Sequence, residues 1–213
     1  MDAKLLFRLL DSYGVSGNEG LIRSIISNEI KDHVDEMHVD KVGNLIARKK
    51  GSGKKVMVAA HMDEIGVIAK KISVEGRIYI SPLGGIDPIT LIGQRIRIEP
   101  SKGMAIYGVI TTENLHEGKD MEKLPEMKDL YVDCGLNEKE LNNLGIGIGS
   151  EIILMQSATI AGSGDSISGK ALDDRLGCYV MVELIKSVRN PKNDLYFVFT
   201  VQDTGIGIPK GEQ

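Results

Sequence analysis

The run Val56-Met57-Val58-Ala59-Ala60 carries no polar side chain and ends in His61-Met62-Asp63. A short apolar stretch of this kind reads as a buried strand, and a buried strand needs layers around it. A second run, Leu195-Tyr196-Phe197-Val198-Phe199-Thr200-Val201, has the same character. Ahead of the first run, Leu5, Leu6, Leu9 and Leu10 mark a helix over 3–12. Leu21, Ile22, Ile25, Ile26 and Ile30 mark another over 18–33. Strands are expected near 36–39, 45–49 and 55–60, with Gly43-Asn44 turning between the first two.

From Gly66 to Asp165 the texture changes. Short strand-like runs at 67–72, 77–80, 94–98, 105–110, 131–134 and 151–155 are separated by Gly, Pro and Asp, and only 138–143 reads as helical. Closely spaced short strands with turn signals predict a small β-barrel or sandwich. A helix over 173–188 follows, with Leu176, Val180, Leu184 and Val188 on one stripe, and then a strand over 194–202. The pattern predicts an α/β domain, residues 1–65 and 166–213, interrupted by a β-rich domain, residues 66–165.

Composition narrows the function. The net charge of -4 and the lack of a long basic run argue against nucleic acid or an anionic membrane as partner. No stretch approaches the roughly 18 apolar residues of a spanning helix. The start, Met1-Asp2-Ala3-Lys4-Leu5, has no apolar signal core. Cys134 and Cys178 have no metal-type spacing and read as small buried hydrophobes of a cytoplasmic protein.

His61 and Asp63 leave a strand on the same face, because the side-chain period is two. A carboxylate so placed can hold the second ring nitrogen, as metal-ligating histidines require. Asp173 and Asp174 open the later helix. Either is a helix N-terminal residue favoured by the dipole, or a carboxylate that spans two divalent ions about 3.5–4 Å apart. Glu64 adds acidity or faces solvent, and Arg175 reads as a local charge partner. Gly164-Asp165-Ser166-Ile167-Ser168-Gly169-Lys170-Ala171 nearly fits a phosphate loop, but Ala171 stands where Ser or Thr would hold magnesium. A glycine-rich linker is the simpler reading. Asp203-Thr204-Gly205-Ile206-Gly207-Ile208-Pro209 is a strand-ending turn or a glycine loop.

Several motifs occur in order: Gly14-Val15-Ser16-Gly17-Asn18-Glu19, Asp40-Lys41-Val42-Gly43-Asn44-Leu45, Ala60-His61-Met62-Asp63-Glu64-Ile65-Gly66, Gly84-Gly85, Asp129-Leu130-Tyr131-Val132-Asp133, Leu144-Gly145-Ile146 and Lys170-Ala171-Leu172-Asp173-Asp174-Arg175. Over residues 5–202 the chain resembles the dinuclear-metal aminopeptidases that assemble into tetrahedral particles. These include glutamyl and deblocking aminopeptidases, some carrying the label endoglucanase or cellulase family M. The resemblance implies a partial αβα metallopeptidase domain with an inserted small β-barrel through which homo-oligomers form. It implies two divalent ions, zinc or cobalt, and removal of N-terminal residues from peptide substrates. His61 and Asp173 become the metal-ligand candidates, and Asp63 and Asp203 the catalytic ones.

The resemblance breaks after Gln202. The family continues with Glu-Glu, a base and a metal ligand, where this chain has Asp203-Thr204. Asp203 is one methylene shorter, and Thr204 offers only a hydroxyl. The family's later aspartate and histidine ligands have no counterpart in the 213 residues. The expectation is a C-terminally truncated form with weak metal binding, little activity alone and an exposed apolar sheet edge. The tail from Val201 resembles the glycine box of histidine-kinase ATPase domains over about a dozen residues, without the helix that would precede it. Two alternatives stay open: a glycoside hydrolase, which needs two carboxylates flanking the bond, and a non-catalytic oligomerisation module.

Overall fold

The computed structural model describes residues 3–112 and 124–203. The tail from Thr204, on which most of the glycine-box likeness falls, lies outside the described residues. In chain order the elements are α1 (Ala3–Asp11), α2 (Gly20–Ile30), β1 (Glu36–Val39), β2 (Leu45–Lys49), β3 (Lys55–His61), β4 (Gly66–Ile72), β5 (Ile78–Leu83), β6 (Arg95–Ile98), β7 (Ile106–Thr112), β8 (Leu130–Asp133), α3 (Glu138–Asn143), β9 (Glu151–Leu154), β10 (Thr159–Ala161), β11 (Ser166–Ser168), α4 (Leu172–Ser187) and β12 (Asp194–Thr200). They form two compact units, residues 1–64 with 157–213, and residues 65–156.

The first unit holds a four-stranded sheet in the order β1-β2-β12-β3. β12 runs antiparallel to β2, with Phe197 opposite Ala47, and parallel to β3, with Phe197 opposite Val58. One face of the sheet, through Leu45, Ala47, Ala60, Phe197 and Phe199, is buried against Leu6, Leu9 and Leu10 of α1, Ile22, Ile26 and Ile30 of α2, and Val182 and Ile185 of α4. The alternation of two along each strand puts Ile46, Met57, Tyr196 and Val198 on the other face. Met57 there is 70% exposed. Among the described residues the free edges are β1 and β3, while β12 has a partner on both sides.

Two expectations are corrected in this unit. The stripe Leu176, Val180 and Leu184 of α4 faces outward, at 43%, 55% and 38% exposure, and the inward side is Cys178, Tyr179, Met181, Val182 and Ile185. Both stripes satisfy helical spacing, so periodicity alone does not say which is buried. The stretch read as a linker folds into the antiparallel hairpin β10–β11. Ala158 and Ile167 pack on the core of the first unit, which moves the boundary of the insert from about 165 to Gln156. The phosphate-loop likeness therefore falls on a hairpin, not on the strand-loop-helix turn that a phosphate loop requires.

The second unit is a closed barrel, β4-β5-β8-β7-β6-β9, with every neighbouring pair antiparallel. Val67, Ile78, Ile80, Ile96, Ile98, Ile110, Val132 and Ile152 fill it. Closure removes the edges on which other strands could pair. Asn137 caps α3 in a reciprocal box with Glu140, and Leu141 of that helix joins the barrel core.

Candidate functional site

His61 is the last residue of β3, so the sheet delivers its imidazole to the strand end. Met62 points into the core, and Asp63 is fully buried just beyond. The ring's Nδ1 lies 3.3 Å from Asp63 Oδ1 and 3.2 Å from the Asp63 carbonyl oxygen. Its Nε2 lies 3.1 Å from Asp173 Oδ1. The Cys178 thiol donates to the His61 carbonyl at 3.2 Å, and burial pushes that thiol up to about 12. The hydrogen bond to Asp63 and its charge, helped by Asp173, raise the His61 pKa to about 9 against the opposing effect of burial.

The neighbouring aspartates divide the two roles open to them. Asp174 Oδ1 accepts from the Gly177 amide at 3.1 Å and caps the regular part of α4. Asp173 has extended backbone angles (φ -89°, ψ 108°) and turns away from the helix. Its side chain is 98% exposed and meets His61. The peptide between the two is cis, and Ala171 before them is left-handed at φ 54°.

Glu64 and Arg175 do not face solvent as local charges. Both are buried. Both oxygens of the Glu64 carboxylate accept from Lys170 Nζ at 2.8 Å, while Lys170 also donates to the Ser12 carbonyl at 3.1 Å, and Glu64 Oε1 further takes the Gly14 amide at 3.0 Å and Arg175 Nη2 at 3.3 Å. The Arg175 guanidinium donates to the carbonyls of Leu9 at 2.8 Å, Met62 at 3.2 Å and Gly14 at 3.3 Å, and to that of Ser12. A Cβ on Gly14 would lie 3.0 Å from Ile22 and 3.1 Å from Arg175 Nη2, which accounts for glycine there. Burial lowers the pKa of both Lys170 and Arg175, with Glu64 opposing that effect. This knot ties the end of α1, the start of α4 and the segment after β3 together. Through the Met62 carbonyl it holds the segment that follows His61.

Asp203 arrives beside the site through its backbone, whose amide donates to Asp63 Oδ1 at 3.3 Å. Thus His61, Asp63 and Asp173 stand together, with the Asp203 backbone against Asp63. Glu19, Asn44, Lys170 and Arg175 were not singled out from the sequence as site-building side chains. They lie inside the ordered motifs, which were the available signal.

Among the described residues no group of three His, Cys, Asp or Glu side chains is gathered to hold a metal ion. A catalytic zinc takes three protein ligands, and the His61–Asp173 pair falls short of that number. No helix among the described residues is long and apolar enough to cross a membrane.

An α/β unit interrupted by a closed barrel is an architecture this chain shares with several solved aminopeptidases. The aminopeptidase of Desulfurococcus kamchatkensis superposes with a TM-score of 0.87 at 31% identity, over 94% of this chain and 56% of that one. The TET aminopeptidase of a Thaumarchaeota archaeon gives 0.89 at 30% identity, over 96% and 59%. A Thermotoga maritima structure described as an endoglucanase gives 0.79 at 34% identity, over 92% and 58%. The lysyl aminopeptidase of Pyrococcus furiosus is 36% identical over 95% of this chain and 60% of its own length. The M42 glutamyl aminopeptidase family matches residues 43–207, and the chain belongs to that family. Membership implies divalent metal cofactors. The chain spans about 60% of the length of the lysyl aminopeptidase and of a 41% identical aminopeptidase relative from Acetivibrio thermocellus.

Proposed function

We propose that this chain carries part of the reaction centre of a metal-dependent aminopeptidase, acting in the removal of N-terminal residues from peptides. The observation that carries the reading is the 3.1 Å approach of His61 Nε2 to Asp173 Oδ1, with Asp63 held against the other ring nitrogen. His61 and Asp173 are the proposed metal ligands, for zinc or cobalt. Asp63 orients the ring and fixes its tautomer. Asp203 is the proposed base. The closed barrel is the proposed surface for homo-oligomers, since the similar PhTET1 forms a dodecamer and the Pyrococcus horikoshii TET1 peptidase a tetrahedron or a large octahedral shell. A cytoplasmic setting fits the two free cysteines.

The glycosidase reading is weaker on geometry. It needs two carboxylates facing the scissile bond, and Asp63 is buried, turned to His61 and to the Asp203 amide. The test is incubation with unblocked and Nα-acetylated peptides and with a soluble β-glucan, each with and without a chelator. Weak but chelator-sensitive release of free amino acids from the unblocked peptide alone is the expected result, since the described ligands are fewer than a catalytic metal takes. Reducing sugar released from the glucan, with the peptides intact, would overturn the proposal.

A further inference from the structure

Three successive backbone amides at the exit of β12 are each taken by a side chain from a different part of the first unit. Val201 N–H donates to Asn44 Oδ1 at 3.0 Å, Gln202 N–H to Glu19 Oε1 at 2.9 Å, and Asp203 N–H to Asp63 Oδ1 at 3.3 Å. Asn44 is itself held. Its side-chain amide donates to Asp40 Oδ2 at 2.8 Å, while Asp40 Oδ1 accepts from the amides of Val42, Gly43 and Asn44. The three sequence motifs around Glu19, Asn44 and Asp63 thus converge on residues 201–203, at the rim where His61 ends β3.

Glu19 is the unusual member. It occupies the N-cap position of α2, yet its side chain makes no capping bond there. Ser, Thr, Asp and Asn serve that position better than Glu. Its carboxylate is instead buried, at 4% exposure for the residue. Burying a carboxyl group is costly unless hydrogen bonds satisfy it. A single oxygen, Oε1, takes both the Gly17 amide at 2.8 Å and the Gln202 amide at 2.9 Å. Gln202 has a left-handed backbone, φ 60°, which turns the chain out of the strand direction and brings residue 203 to Asp63.

We infer that Glu19 is a positioning residue of the candidate site: its carboxylate holds the Gln202 turn, and through it sets the Asp203 amide against Asp63 and hence the setting of His61. The inference rests on the reading of His61 and Asp173 given above. Glu19 touches neither the ring nor Asp173 and acts only through the turn. A purely local role would be different, with the carboxylate bracing Gly17 and nothing beyond.

Amide hydrogen exchange and the ring signals of His61, followed by NMR on Glu19→Ala and Glu19→Gln, separate the two roles. Charge-assisted bonds of this kind are strong enough that Glu19→Ala should speed exchange at Gln202 and Asp203 by about tenfold or more. The His61 ring signals should move, and the amides of residues 196–199 should keep their protection. Glu19→Gln retains an acceptor oxygen and should show the same pattern at a few-fold. It also serves as the readout if the alanine variant does not fold. Faster exchange at Gly17 alone, with Gln202, Asp203 and the His61 ring unchanged, would overturn the inference. The underlying reading fails separately, if Asp173→Asn in an otherwise unchanged chain leaves the His61 ring signals where they were.

Discussion

The Nε2 atom of His61 stands 3.1 Å from Oδ1 of Asp173, a residue 112 positions further along the chain. The next residue, Asp174, turns the other way and caps α4 through Gly177. The two carboxylates therefore divide a contact to His61 from a helix cap. Asp174→Ala should lower the unfolding free energy by about 1 kcal/mol, the usual cost of a lost cap. Asp173→Ala, at a side chain 98% exposed, should change it by less than about 0.5 kcal/mol. Urea titration of the two variants measures both. Any chelator-sensitive peptidase activity should follow the opposite order. It should fall at least about a hundredfold for Asp173→Ala, the upper end of what even supporting partners of a ligand cost.

Arg175 gathers four backbone carbonyls and Glu64 in a fully buried place. Arg175→Met keeps the length of the side chain and removes every donor. It should cost about 3–5 kcal/mol, because breaking one partner of a buried ionic knot leaves the others uncompensated. Arg175→Lys should recover only part of this, since an ammonium cannot reproduce the planar fork. Denaturant midpoints of the three proteins test the order wild type, Lys, Met.

The apolar runs made β3 and β12 legible, and each short strand of the barrel announced itself by its turns. Element ends mostly fell within a residue or two of expectation. The strand-end place of His61 was legible, because β3 closes with that residue, whereas Asp63 lies past the strand end and meets the ring through Nδ1 and not by strand period. What stayed hidden had specific causes. Leu176, Val180 and Leu184 keep the same spacing as the true inner stripe, and only the neighbouring sheet decides between them. The hairpin at 159–168 is short and polar, and gains its place from Ala158 and Ile167 meeting a core built elsewhere. Glu64 and Arg175 look like surface charges until Gly14, 50 residues from Glu64, is seen to share their site. Glu19 has its partner 183 residues away, at the far end of the last strand. Local pattern carries the elements, while long-range polar partners carry the site.

Asp194 opens β12 and receives a two-pronged contact from Arg48, with both bonds at 2.9 Å. Arg48 holds the Asp194 carboxyl below its usual range. A carboxyl whose folded pKa is lowered stabilises the fold above its unfolded value, near 3.9, and loses that contribution as pH falls through the folded value. Asp194→Asn should therefore be less stable than the wild type at pH 7. The gap between the two should narrow below about pH 4. Urea midpoints between pH 7 and pH 3 give the measurement, and a gap that stays constant over that range would contradict the assignment.

Leu184 and Ile185 are adjacent on α4 and should respond unequally to truncation. Ile185 is fully buried against the sheet, while Leu184 is 38% exposed. Ile185→Ala should cost about 2–5 kcal/mol, from lost transfer energy plus the cavity left in a packed core. Leu184→Ala should cost well under half of that, because the side chain already meets water. The outward stripe of Leu176, Val180 and Leu184 lies on one line, four residues apart, and an exposed apolar stripe of this kind drives association. Replacing all three with Gln should leave the unfolding free energy within about 1 kcal/mol of wild type while raising the concentration at which light scattering first detects self-association. If the triple variant unfolds as easily as Ile185→Ala, the stripe is packed in solution and the outward assignment is wrong.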